Sequence, residues 1–160
     1  IDACLVGSEM CIRDRMWTED HPNFEGVHYS ITNASAPPLP EPVPRICIGA
    51  FGPKVGLPLV GRQADQWNCF FIGDDDWRMR LGIVRESAEK AGRDPLSIEV
   101  GTTIERPLPT TDAESEALLE HLAHLRELEI THFTMDFGHP LTPEHVLRFA
   151  EQVIDVMRAS

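Results

Sequence analysis

Four times between Arg45 and Met157, a short apolar run gives way, after a few loop residues, to a segment with helical spacing. This rhythm restricts the fold more than any other property of the chain. Strands that alternate with helices pair in parallel, because each helix serves as the crossover that a parallel connection needs. Such crossovers are right-handed. The expected strands are Arg45–Ala50, Asp65–Ile72, Ser97–Ile104 and Ile130–Phe137. The expected helices run from Lys54 to Gln63, from Asp75 to Ala91, from Asp112 to Leu128, and onward from Thr142-Pro143-Glu144.

The helix assignments rest on spacing and on end signals. Trp77, Leu81, Val84, Ala88 and Ala91 recur at helical intervals, with Gly92 as a stop and Pro95 just beyond. Thr111 with Glu114 spells a capping box, ahead of a stripe of Leu118, Leu119, Leu122 and Leu125. Thr142 followed by Pro143 is a cap with proline at the first helical position. Val146, Phe149, Ala150, Val153 and Met157 then fall on one face. Four strand–helix units fit a small doubly wound sheet or half of an eightfold barrel, and the pattern alone admits both.

The first 44 residues do not share the rhythm. Residues 1–15, IDACLVGSEMCIRDR, show no period of either kind, and the run CLVGSEMCIRDR resembles a translated sequencing-adapter sequence. A secretory signal is excluded there by the missing basic start and the missing apolar run. We therefore expect residues 1–15 to be a non-native leader, and residues 16–44 an insertion segment and extended linker. Within it Val27–Thr32 is a short strand candidate. Ala36 to Pro44 must be extended, since each proline drives its predecessor out of the helical region. Residues 45–160 carry the strand–helix units.

Charge and cysteine usage remove several function classes. The 160 residues carry a net charge of −12, which repels phosphate backbones and argues against nucleic-acid binding. No run of about 18 apolar residues is present, so no membrane span is expected. Cys47 and Cys69 lie in apolar runs without CxxC spacing, which supports neither zinc nor thioredoxin-type chemistry. A reducing, cytoplasmic setting fits them. No metal site is expected.

One turn stands out chemically. Gly49-Ala50-Phe51-Gly52-Pro53-Lys54 joins the first of these strands to its helix. Backbone N–H groups at such a junction, with the helix dipole behind them, favour an anion. Pro53 has no N–H, so the donors would be those of Gly52, Lys54 and Val55, with the Lys54 ammonium adding charge. A plain connecting turn is the competing interpretation. Other features are discounted. Asp136-Phe137-Gly138 has no nucleotide loop beside it and reads as a strand end. His121 and His124 share a helix face without a third ligand. Asp74-Asp75-Asp76 lacks calcium-loop spacing and suits a helix start. His139, in the loop after the fourth strand, is a weak acid/base candidate.

Three stretches, taken in order, resemble the C-terminal half of a luciferase-like flavin or deazaflavin oxidoreductase. They are Phe24-Glu25-Gly26-Val27-His28-Tyr29, then Pro44 to Lys54, then Ala64-Asp65-Gln66-Trp67-Asn68. The resemblance covers roughly residues 16–158. It implies an α/β fold, a partial TIM barrel made of the C-terminal half, about four βα units with parallel strands. Barrel function sits on the loops after the strand C-termini, which selects Gly49 to Lys54, Trp67-Asn68, Thr102-Thr103 and Asp136 to His139. The resemblance implies that Gly49, Ala50, Phe51, Gly52, Lys54 and Val55 contact the phosphate of FMN or of the deazaflavin coenzyme F-420. Asn68 is expected to face that pocket and Trp67 to be core. It further implies a small organic substrate, a reduced flavin or deazaflavin as partner, a parent enzyme of monooxygenase type that often pairs as a homodimer, and a fragment inactive by itself. The alternative is a non-enzymatic (βα)4 module for a phosphorylated ligand. One departure from the family pattern is Lys54–Gln63, KVGLPLVGRQ, where Gly56, Pro58 and Gly61 are poor helix formers.

Overall fold

The structure, a computed structural model, describes residues 8–138 and 141–159. It divides into two compact units, Ile1–Arg45 and Ile46–Ser160.

In the first unit, helix α1 (Ser8–Thr18) precedes strands β1 (Phe24–Glu25) and β2 (Ser30–Ile31), which pair antiparallel. The helix runs into the stretch expected to lack regular structure. That stretch has no apolar period, yet Glu9, Met10, Arg13, Arg15 and Met16 are good helix formers. The Arg13 guanidinium lies 5.1 Å from the Trp17 ring centroid, and the Thr18 hydroxyl donates to the Asp14 carbonyl at 2.8 Å. Gly26 N–H donates to the Tyr29 carbonyl at 3.0 Å and closes a turn. The strand expected over Val27–Thr32 therefore shrinks to Ser30–Ile31, with Val27 exposed in the turn. Residues 36–44 form neither helix nor strand, as their prolines require.

The second unit repeats strand and helix. In order it contains β3 (Cys47–Gly49), α2 (Gly56–Gln63), β4 (Gln66–Asn68), α3 (Asp74–Lys90), β5 (Glu99–Glu105), α4 (Asp112–Glu127), β6 (His132–Asp136) and α5 (Pro143–Phe149). The last helix continues as a π-helical stretch, Ala150–Ile154, into α6 (Asp155–Ala159). The four strands form one parallel sheet in the order β3-β4-β5-β6. A doubly wound sheet reverses direction at a switch point. This sheet adds each new strand beside the last, as a β/α barrel does, so the unit is a partial TIM barrel.

The register puts Trp67 opposite Ile48 and Val100, and Asn68 opposite Gly49 and Gly101. Because strand side chains alternate between faces, one face meets the helices and the other does not. On the helix face, Trp67 is fully buried and stacks on Trp77 of α3, with ring centroids 4.8 Å apart and planes 16° from parallel. Leu57, Val60, Val84, Ala88, Leu125 and Ile130 close around this pair. A second cluster joins Leu108, Leu118 and Leu122 to Phe149 and Val153. The opposite face presents Cys47 and Gly49, Gln66 and Asn68, Thr103 and Glu105, and His132, Thr134 and Asp136. It is polar and largely exposed.

The expected end signals hold. The Thr111–Glu114 capping box forms with both of its bonds, and Thr142 caps α5 with Pro143 in the first turn. Leu119 and Ala91 are less buried than their periods suggest, and Val146 is exposed in the first turn of α5. β4 is shorter than its apolar run. The chain leaves the sheet after Asn68, where Cys69 N–H crosses to the Gly101 carbonyl at 3.2 Å, and Phe70 and Ile72 end exposed.

α2 resolves the conflict seen in KVGLPLVGRQ. The helix begins at Gly56 rather than Lys54, so Pro58 falls in the first turn. N–H groups there have no intrahelical acceptor, and proline forfeits nothing. At the other end Arg93 donates to the Gly61 and Ala64 carbonyls, at 2.9 and 2.7 Å. These are the carbonyls that a short helix leaves without partners.

Candidate functional site

Two of the clefts at the C-terminal ends of the strands adjoin the loops selected in the sequence. One, of about 510 Å³, is lined by Cys47, Gly49, Ala50, Phe51, Asn68, Cys69, Phe70 and Thr103. Residues from three of the four loops selected in the sequence therefore converge here. The other, of about 600 Å³, lies over β5 and β6 and includes Glu105, Arg106, Asp136, Phe137, Gly138 and His145. Asp136-Phe137-Gly138 thus borders a separate cleft. Its Asp136 carboxylate accepts the Gly138 N–H at 3.0 Å, a local turn that ends β6. His139 lies outside the described residues.

The turn after β3 is held from beneath by two side chains. Trp67 Nε1 donates to the Ala50 carbonyl at 3.0 Å. Arg80, on α3 and 9% exposed, donates through Nη1 to the Phe51 carbonyl. Its guanidinium also lies 3.7 Å from the Phe51 ring centroid and pairs through Nε and Nη2 with Asp76, one turn earlier. Leu57 N–H donates to the Gly52 carbonyl at 3.0 Å. Among the described residues, no backbone carbonyl takes up the N–H groups of Gly52, Lys54 or Val55. These residues and Phe51 are exposed, and a side chain built at Gly52 would meet nothing within 4 Å. Glycine at 52 therefore leaves open space above the turn.

Asn68 is half-buried at the edge of the first cleft, and its Oδ1 lies 3.4 Å from the Thr103 hydroxyl, a long hydrogen bond. Trp67, its neighbour, points the other way into the core. One tryptophan thus serves the packing and, through its N–H, the turn.

Cys69 sits beneath the same cleft, 5% exposed. Burial pushes its thiol up to about 11, only partly opposed by the Arg80 cation. The thiolate is the reactive form, so Cys69 should stay inert near neutrality and gain reactivity only as the pH nears 11. Iodoacetamide at pH 8, read by peptide mapping, should modify the exposed Cys47 and spare Cys69. Equal labelling of both would show that Cys69 is not enclosed as described.

The discounted side chains have local partners. Asp74, Asp75 and Asp76 occupy the first turn of α3, where negative charge suits the helix dipole. His124 Nε2 lies 3.0 Å from Asp74 Oδ1. His121 titrates below the usual histidine range, because of burial first and then the nearby Arg106 and His124.

Arg80 is the residue that the sequence reading passed over. Its signal was present: Trp77, Arg80, Leu81, Val84 and Ala88 fall on one buried stripe of α3. An arginine on an apolar stripe, with an aspartate four residues earlier, marks a buried cation with a task.

The model of a family described as luciferase-like monooxygenase matches residues 12–155. A phthiodiolone/phenolphthiodiolone dimycocerosates ketoreductase of Mycobacterium kansasii is 36% identical over 77 residues, covering 46% of this chain and 21% of that protein. The counterpart from Mycobacterium tuberculosis is likewise 36% identical, over 20% of its length. Among solved structures, the coenzyme F-420-dependent tetrahydromethanopterin reductase of Methanopyrus kandleri superposes with a TM-score of 0.72 at 13% identity, over 94% of this chain and 64% of that one. An F-420-dependent secondary alcohol dehydrogenase superposes with a TM-score of 0.71 at 18% identity, over 89% and 58%. The chain thus spans about a fifth of the curated relatives it matches and under two thirds of these structures. At such identities the structural likeness establishes the fold.

Proposed function

Because the chain belongs to the luciferase-like monooxygenase family, we propose that it supplies the phosphate-holding side of the cofactor site in an oxidoreductase dependent on FMN or coenzyme F-420. The observation that carries this reading is the turn Gly49–Val55 at the C-terminal tip of β3, where among the described residues no backbone carbonyl accepts the N–H groups of Gly52, Lys54 or Val55. Gly49, Ala50, Phe51 and Asn68 line the cleft beside it.

The turn fits a phosphate. Unpartnered amides offer hydrogen bonds that strengthen toward an anion, and the open space above Gly52 admits close approach. The Lys54 side chain is exposed and adds a positive charge to the turn. A reduced flavin or deazaflavin, when bound, supplies the hydride or oxygen chemistry, and the protein orients it. Asn68 and Thr103, which line the same cleft, would offer polar groups to the cofactor beside the turn.

The polar, exposed sheet face supports a further part of the reading. Parallel sheets are ordinarily covered on both faces, and among the described residues helices cover this one on one face. The family resemblance implies that the ring is held largely by four further strands. We therefore expect this polypeptide alone to bind the phosphate end weakly and to turn over no organic substrate. Monooxygenase chemistry, a paired parent enzyme and a reducing cytoplasmic setting belong to the same proposal.

The test is a comparison of FMN with riboflavin, which lacks the phosphate. Amide NMR of the labelled chain should show saturable shifts at Gly52, Lys54 and Val55 with FMN and with inorganic phosphate. Riboflavin should leave those amides unmoved. Lys54→Ala should weaken FMN binding about fivefold, the scale of one exposed charge near an anion. Equal responses to FMN and riboflavin would end the phosphate assignment. If inorganic phosphate and a simple phosphate ester shift these amides but FMN does not, the non-enzymatic module becomes the better reading.

A further inference from the structure

We propose that Arg80 is the positioning residue of this turn: it sets the direction of the peptide groups that face the anion, without touching the anion itself. The inference rests on the phosphate reading of the turn and names a residue outside the family resemblance.

A trans peptide is planar, and its C=O and N–H point in opposite directions. Trp67 Nε1 draws the Ala50 carbonyl toward the core, which turns the Phe51 N–H away from it. Arg80 draws the Phe51 carbonyl toward α3, which turns the Gly52 N–H away from α3. Two successive amides are thereby presented outward, and among the described residues neither donates to a backbone carbonyl. Successive N–H groups aimed to one side form an anion-binding concavity. The donor set thus begins at Phe51, one residue earlier than the helix-start argument placed it.

Only arginine can do all that is asked at position 80. Its planar fork holds Asp76 with Nε and Nη2, reaches the Phe51 carbonyl with Nη1, and offers a flat face to the Phe51 ring. Asp76 fixes the fork, and the hydrogen bond to Asp76 also keeps the guanidinium firmly protonated. Lysine has one compact ammonium and cannot divide itself among three contacts.

The experiment titrates the labelled 160-residue chain with inorganic phosphate and follows the Phe51 and Gly52 amides by NMR. Wild type should show saturable shifts at both. Arg80→Lys should raise the phosphate dissociation constant roughly tenfold, and Asp76→Asn, which loosens the fork while keeping its shape, roughly threefold. Urea unfolding of each variant separates positioning from stability, since a merely structural Arg80 would lower the unfolding midpoint and leave the constant of the folded chain unchanged. If Arg80→Lys does not fold, Asp76→Asn decides alone. Unchanged phosphate affinity in the folded variants overturns the role given to Arg80 and leaves the phosphate reading standing. An absence of phosphate shifts in wild type overturns both.

Discussion

Replacing Trp77 by alanine should destabilise the second unit by about 3–5 kcal/mol, the range measured for buried tryptophan truncations. Trp77 is 1% exposed and stacks on Trp67, while its Nε1 donates to the Leu128 carbonyl at 3.1 Å. Truncation therefore removes a large buried surface, opens a void at the centre of the main cluster and strands a carbonyl. Single domains are stable by only about 5–15 kcal/mol, so the variant should sit near the edge of folding. With a urea slope of about 2 kcal/mol per molar, the midpoint should fall by roughly 2 M. Trp77→Phe separates the two losses. It keeps most of the packing and forfeits the Leu128 bond, so it should lose about 1–2 kcal/mol. An alanine variant that lost less than 1 kcal/mol would mean that the two tryptophans do not organise this core in solution.

Where the sequence was legible, a local signal agreed with a tertiary need. The capping box at Thr111 and Glu114 and the Thr142-Pro143 start appear in the structure as they were written, because each satisfies groups within a few residues, whereas the stripe on α3 is buried from Trp77 to Ala88 and leaves Ala91 exposed at the helix end. Strand ends were harder to read. The apolar run to Ile72 outlasts β4 because pairing with β5 stops at Gly101, and nothing in residues 69–72 announces that. The sheet order was not readable at all from periodicity; it follows from which strands meet, and the parallel pairings β3-β4-β5-β6 decide it.

The site shows the same division. The turn at Gly49–Lys54 was visible because glycine and proline punctuate the chain. The direction of its amides was not visible, since it depends on Trp67 and Arg80, 17 and 29 residues beyond the carbonyls they hold. A spacing argument placed the donors at the helix start, whereas the side chains beneath the turn bring the Phe51 amide into the set. Long-range hydrogen bonds to main chain are the part of a site that a single sequence hides best.

Gly61 makes the same point in terms of stability, with the opposite sign to the sequence expectation. In a helix interior, glycine to alanine should gain up to about 1 kcal/mol. At Gly61 a Cβ would lie 2.3 Å from the Val84 carbonyl oxygen, 2.7 Å from Ser87 Cβ and 2.8 Å from the Ala88 nitrogen. Two of these three neighbours are backbone atoms of α3 and cannot swing aside, so α2 would have to lift off α3. Overpacking of this kind typically loses about 1–3 kcal/mol, and Gly61→Val, larger and β-branched, should lose at least as much. Gly82 supplies the control: it is exposed within α3, and a Cβ there meets nothing within 4 Å. Gly82→Ala should therefore raise the urea midpoint while Gly61→Ala lowers it, although both replace glycine within a helix. The residue that looked like a weak helix former is then the condition for the close α2–α3 crossing, and α2 is the helix that follows the turn after β3. Midpoints that rise for both variants would show that propensity alone governs Gly61, and that the two backbones are not in contact there.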